Sequence, residues 1–132
     1  MPTARNNLAV AASGTKLFAV GGNGGDYNQL EIYESATDSW SAAAPMPTAR
    51  HNFAAAIVGN TLLALGGDGP LDVAEAYDIE GGSWSTAEPM GTARVSFAAV
   101  AAPSAVVAPP PPEVEVCVTR LACSSPPLIF FD

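Results

Sequence analysis

The sequence predicts an all-β fold built from repeated four-stranded antiparallel meanders. Three observations carry that expectation. The segment Met1-Pro2-Thr3-Ala4-Arg5 returns as Met46-Pro47-Thr48-Ala49-Arg50 and, altered, as Met90-Gly91-Thr92-Ala93-Arg94, after 45 and then 44 residues. A fixed period of that size marks a repeat architecture. Each period also holds four short apolar or alternating runs between clusters of Gly, Asn, Asp and Ser, the pattern of strands joined by hairpins. Finally, no stretch offers a long amphipathic stripe with helix caps.

The first period opens with the small apolar run 7–12, and Ser13-Gly14-Thr15 turns the chain. Lys16-Leu17-Phe18-Ala19-Val20 follows and is closed by Gly21-Gly22. A loop from Asn23 to Asn28 leads to Gln29-Leu30-Glu31-Ile32-Tyr33-Glu34, which alternates polar and apolar residues. A polar turn from Ser35 to Asp38 precedes Ser39-Trp40-Ser41-Ala42-Ala43, and Pro45 ends the unit. The second period runs alike: 53–58, a turn at Gly59-Asn60, 62–65 into Gly66-Gly67, 73–78, a turn at 80–82, then 83–87 and Pro89. The alanine-rich runs favour helix by propensity, but they are short, and Gly14 and Gly59 stop them.

Four antiparallel strands per repeated unit make the blade of a β-propeller. The Gly-Gly, Tyr and Trp sets (Gly21, Gly22, Tyr33, Trp40 and Gly66, Gly67, Tyr77, Trp84) keep the same register in both units. Together with the repeated Arg and the Pro-Met pairs Pro45-Met46 and Pro89-Met90, they resemble the kelch repeat. The Gly-His and Trp-Asp marks of the WD40 repeat are absent. The resemblance covers residues 1 to about 100. It implies an incomplete β-propeller of kelch-type blades, with the first strand of each blade lining a central channel. It also implies that the glycine pairs stand where a side chain would collide or φ must be positive, and that Tyr33, Trp40, Tyr77 and Trp84 pack between blades.

On this reading residues 1–45 form one blade and 46–89 a second, 90–108 begin a degenerate third, and 109–132 are a Pro-rich, disordered tail. The third unit starts in register, with Phe97 at the place of Phe53, and then breaks. Pro109-Pro110-Pro111 stand where Leu-Gly-Gly belongs, and seven of the twelve prolines fall between Pro103 and Pro127. Proline donates no backbone hydrogen bond and is barred from central strands. Two readings of the tail stand: a polyproline linker with a poorly ordered end, or a misread gene end that overwrote a genuine blade. Met1 shares its repeat position with Met46 and Met90, as expected of an internal methionine in a longer array. A closed propeller needs about four to eight blades, so two blades call for further blades from a parent chain or for self-association.

The net charge of −8, from 13 acidic and 5 basic residues, argues against nucleic acid, which wants a basic face, and against anionic membranes. Cys117 and Cys123 lie in the tail and lack partners for a metal site, and reduced, cytoplasmic thiols are the expectation. A single histidine, His51, leaves no His-rich metal site, and no nucleophile elbow precedes a helix. The loop 21–25 lacks the Lys-Ser/Thr and the helix of a phosphate cradle. Copper radical oxidases and sialic acid epimerases use kelch-type propellers, but the Tyr, His and Cys ligand set of the oxidases cannot be matched here. No cofactor is expected.

In a meander, the loop between the second and third strands and the connection between blades emerge at the same end. That loop face carries Arg5, Asn6, Asn7, Arg50, His51, Asn52 and Arg94, with the loops 23–28 and 68–72. In kelch-type adaptors of ubiquitin ligases, arginines near this connection bind acidic peptides. The resemblance therefore implies partner contact, with an acidic partner, for Arg5, Asn6, Arg50, His51, Asn52 and Arg94. The competing reading makes the repeated Arg structural, bonded to backbone carbonyls of an adjacent blade. His51 then faces solvent, and Asp26, Asp68 and Asp72 form turns. The expected function is non-catalytic protein binding through the loop face. The alternative is a fragment of a propeller enzyme or carbohydrate-acting protein whose active residues lie outside this chain.

Overall fold

The computed structural model describes residues 1–68 and 72–101. Eight strands form in chain order: β1 (Ala9–Ser13), β2 (Lys16–Val20), β3 (Leu30–Glu34), β4 (Ser39–Ala43), β5 (Ala54–Val58), β6 (Thr61–Leu65), β7 (Ala74–Asp78) and β8 (Ser83–Ala87). They make two four-stranded sheets with the orders β1-β2-β3-β4 and β5-β6-β7-β8, antiparallel throughout. The fold is all-β, two blades of an incomplete propeller, as the periodicity predicts. The Pro-rich stretch 109–132 and the later part of the expected third unit lie outside the described residues.

Register decides which side chains share a face. In the first blade Ala12, Leu17, Tyr33 and Trp40 stand opposite one another across the four strands. In the second blade the matching row is Ile57, Leu62, Tyr77 and Trp84. Equivalent positions nevertheless differ in burial. Leu62 is 0% exposed and Leu17 is 39% exposed. On the opposite faces the order inverts: Phe18 is fully buried while Leu63 is half-buried. The Leu62 row of the second blade therefore meets the Phe18 face of the first.

The hydrophobic core lies in this joint. Ala9, Phe18, Val20 and Leu30 come from the first blade, Met46 and Phe53 from the connection, and Leu62, Ala64 and Tyr77 from the second blade. The fully buried Phe18, Val20, Met46 and Leu62 side chains each contribute about 1.5–3 kcal/mol of transfer free energy. At the inner edge β1 lies beside β5, with alanines on both strands, and small residues let the two backbones approach.

The placing of the aromatic pairs corrects one expectation. Tyr77 and Trp84 do lie at the joint, ring centroids 5.2 Å apart, and Trp84 Nε1 donates to the Ala44 carbonyl of the first blade at 2.8 Å. Tyr33 and Trp40 form the same pair, also at 5.2 Å, but on the first blade's other face, so they do not pack between these two blades. Trp40 and Trp84 are each only partly buried.

The glycine doublets meet both reasons given for them. Gly21 has φ +57, and a Cβ there would stand 2.6 Å from the Arg50 carbonyl oxygen and 2.8 Å from the Phe53 ring. Gly66 repeats this one blade on, with φ +64 and the Phe97 ring at 2.8 Å. The second glycine of each pair donates to the arginine carbonyl of the next unit: Gly22 N to Arg50 O at 3.1 Å and Gly67 N to Arg94 O at 2.9 Å. Asn52 N to Asn7 O (3.1 Å) and Ser96 N to Asn52 O (2.7 Å) extend the same main-chain stitching into the third unit. Asn7, Asn52 and Ser96 all adopt the left-handed region, with φ of 52, 53 and 54.

Candidate functional site

The loop face forms as the meander topology requires. Asn6 and Asn23 exchange backbone hydrogen bonds at 2.9 and 2.8 Å, and Asp68 N donates to His51 O at 3.1 Å. The blade connection is thus tied to the β2–β3 loop in the first unit and to the β6–β7 loop in the second. Met46 N to Asn28 O and Arg50 N to Tyr27 O, at 2.7 and 2.9 Å, then bind the second connection to the first blade's loop.

The arginines divide into two kinds. Arg5 turns inward, its side chain 0% exposed. Its Nη1 donates to Gly21 O (2.6 Å) and Gln29 O (3.1 Å), and its Nη2 to Glu31 Oε2 (2.8 Å) and Ala19 O (3.3 Å). Arg50 is 2% exposed. Its Nη1 donates to Gly66 O (3.0 Å) and Val73 O (3.1 Å), and its Nη2 pairs with Glu75 Oε2. Thr3 Oγ1 donates to Glu31 Oε1 at 2.9 Å, and Thr48 Oγ1 does the same for Glu75 Oε1 at 2.9 Å. Burial pulls the Arg50 guanidinium below its usual range, and the Glu75 carboxylate opposes that pull by its charge and hydrogen bond.

Arg50 therefore spans the joint. Its backbone is bonded to the first blade, through Tyr27 O and Gly22 N, while its guanidinium is bonded to the second. This corrects the expectation of partner contact through Arg5 and Arg50: both side chains are spent on internal carbonyls and a buried glutamate. Arg94 holds the same repeat position, but its side chain is exposed. Glu31 and Glu75, 44 residues apart, were not singled out from the sequence. The signal available was a repeated glutamate inside an apolar strand.

A second group converges at the joint's loop end. His51 Nε2 lies 2.9 Å from Asp68 Oδ2, and Asn52 Nδ2 donates to the same oxygen at 2.9 Å. The Tyr27 ring stands 5.9 Å from the His51 ring, tilted by 54°. Tyr27 is 43% exposed and holds φ 63, a region that bulky residues rarely enter. His51 is thus paired rather than simply facing solvent, and Asp68 links two side chains. Asn6 is exposed and engaged through its backbone. Among the described residues, no group of three or more His, Cys, Asp or Glu side chains could hold a metal ion.

With two meander blades, paired glycines and the Tyr-Trp ladders in place, the class is a kelch-type propeller array. The family model described as the Kelch motif matches residues 4–47 and 49–91, and the chain belongs to the kelch-repeat family. Members of that family commonly mediate protein–protein interaction. A search of curated proteins finds no relative that matches this chain.

Proposed function

We propose that this chain is a non-catalytic protein-binding module that engages its partner through the loop face. The observation that supports this best is the convergence of three segments at one end of the joint. Tyr27 comes from the first blade's loop, His51 and Asn52 from the connection, and Asp68 from the second blade's loop. An exposed aromatic ring beside polar side chains held by a rigid scaffold is the composition of a binding hot spot.

The test is site-specific photo-crosslinking in the full chain. A benzophenone side chain at position 27 captures a recurrent polypeptide partner, and one at position 36, at the opposite end of the strands, does not. Equal capture from both positions, or none from position 27, refutes the proposal.

A further inference from the structure

We propose that the Tyr27–His51–Asn52–Asp68 cluster receives a lysine or arginine side chain from the partner polypeptide, so that the module reads a basic segment. This rests on the loop-face reading above and reverses the charge that the resemblance implies for the partner.

The first ground is what the scaffold does with its own cations. The guanidinium groups of Arg5 and Arg50 are buried against Glu31 and Glu75. They contribute almost nothing to the field over the loop face. What remains at that end is acidic: Asp26, Asp72 and Glu88 are exposed, and the Asp68 side chain is 42% exposed. Arg94 is the one exposed guanidinium there among the described residues, and Lys16 lies at the far end of the strands. Charge complementarity steers and selects partners, and here it selects a cation.

The second ground is local geometry. Asp68 Oδ2 accepts from Asn52 Nδ2 and lies 2.9 Å from His51 Nε2, which fixes the carboxylate's orientation. Among the described residues its Oδ1 takes no hydrogen bond. Tyr27 presents a partly exposed ring beside the same pair. The Tyr27 ring and the Asp68 carboxylate both neighbour His51, and together they offer a guanidinium or ammonium cation–π attraction from the one and a charge-assisted hydrogen bond from the other. An acidic peptide would meet Asp68 and Asp26 with no available guanidinium from Arg5 or Arg50.

The test titrates the full chain with three labelled peptides of equal length, one alternating arginine and serine, one alternating glutamate and serine, and one of glycine, serine and leucine. Binding is read by fluorescence anisotropy at fixed ionic strength. The arginine peptide is expected to bind, and Tyr27→Leu and Asp68→Asn are each expected to weaken it by about tenfold, near 1.4 kcal/mol. Glu80→Gln, which removes the same charge at the opposite end, leaves the affinity within about twofold. Melting curves confirm that each variant is folded. Equal loss in Asp68→Asn and Glu80→Gln means general charge attraction and overturns the inference. Binding of the glutamate or neutral peptide that Tyr27→Leu abolishes overturns the inference and leaves the loop-face module standing. Failure of all three peptides overturns the inference, and the crosslinking result then decides the module itself.

Discussion

Arg50→Ala is the substitution that separates the two readings of the repeated arginine. The change removes the hydrogen bonds to Gly66 O and Val73 O and leaves Glu75, only 4% exposed, with Thr48 alone as donor. Removing one partner of a buried pair strands the other charge and costs about 3–5 kcal/mol. That is a large part of the roughly 5–15 kcal/mol that holds a domain folded. Arg94→Ala is the internal control. It removes an exposed side chain at the same repeat position and is expected to stay within about 0.5 kcal/mol. Urea titration followed by far-UV circular dichroism measures both. Arg50→Lys falls between them, because an ammonium keeps the charge but cannot fork to Glu75 and the two carbonyls at once. Glu75→Gln combined with Arg50→Ala costs less than the sum of the single changes, as expected for groups in direct contact. If Arg50→Ala proves no more destabilising than Arg94→Ala, the structural account of the arginine is wrong.

Leu62→Ala is expected to cost about 2–5 kcal/mol and Leu17→Ala far less, since the first side chain is fully buried in the joint and the second is 39% exposed; equal losses in denaturant midpoint would put the core elsewhere. Trp84→Phe forfeits the indole bond to Ala44 O and loses about 0.5–1.5 kcal/mol more than Trp40→Phe, measurable by thermal melting of the paired variants. Alkaline stability should follow the tyrosines. The hydrogen bond to Asp38, with burial and the Asp38 charge, raises Tyr33 above the ordinary 10.0, and burial with the Asp78 charge raises Tyr77. A raised phenol means that the folded state holds its protons longer than the unfolded chain, so the stabilisation is complete below pH 10.0 and is lost as pH rises through the folded values. Phenolate absorbance followed beside circular dichroism should show ionisation and unfolding together, and Tyr77→Phe should flatten that limb; an unchanged limb would discard the assignment.

Much of this architecture is legible in one dimension, for identifiable reasons. The glycine doublets mark positive φ and a carbonyl of the next unit within contact distance, a steric demand that only glycine meets cheaply. Tyr33 with Trp40 and Tyr77 with Trp84 sit directly opposite in register, so their spacing encodes the β3–β4 and β7–β8 hairpins. The arginine side chains were not decided by pattern. Whether Arg50 faces solvent depends on Glu75, 25 residues away across the sheet, and a buried charge is tolerable only with such a partner. The Tyr27–His51–Asp68 cluster was hidden for a related reason. It draws on two loops and a connection, and two of its members have no counterpart in the first unit, where Asn6 and Asn23 occupy the places of His51 and Asp68.

The stitches between successive units run between main-chain atoms: Gly22 to Arg50, Gly67 to Arg94, Asn52 to Asn7 and Ser96 to Asn52. Peptide groups are common to all residues, so the seam accepts serine at position 96 where asparagine stands at 7 and 52, while Gly22 and Gly67 are held to glycine by their positive φ. A gene that gains or loses one whole period creates a new junction whose connecting bonds already exist. Array length can in that sense change by whole periods, because each unit carries both halves of the seam.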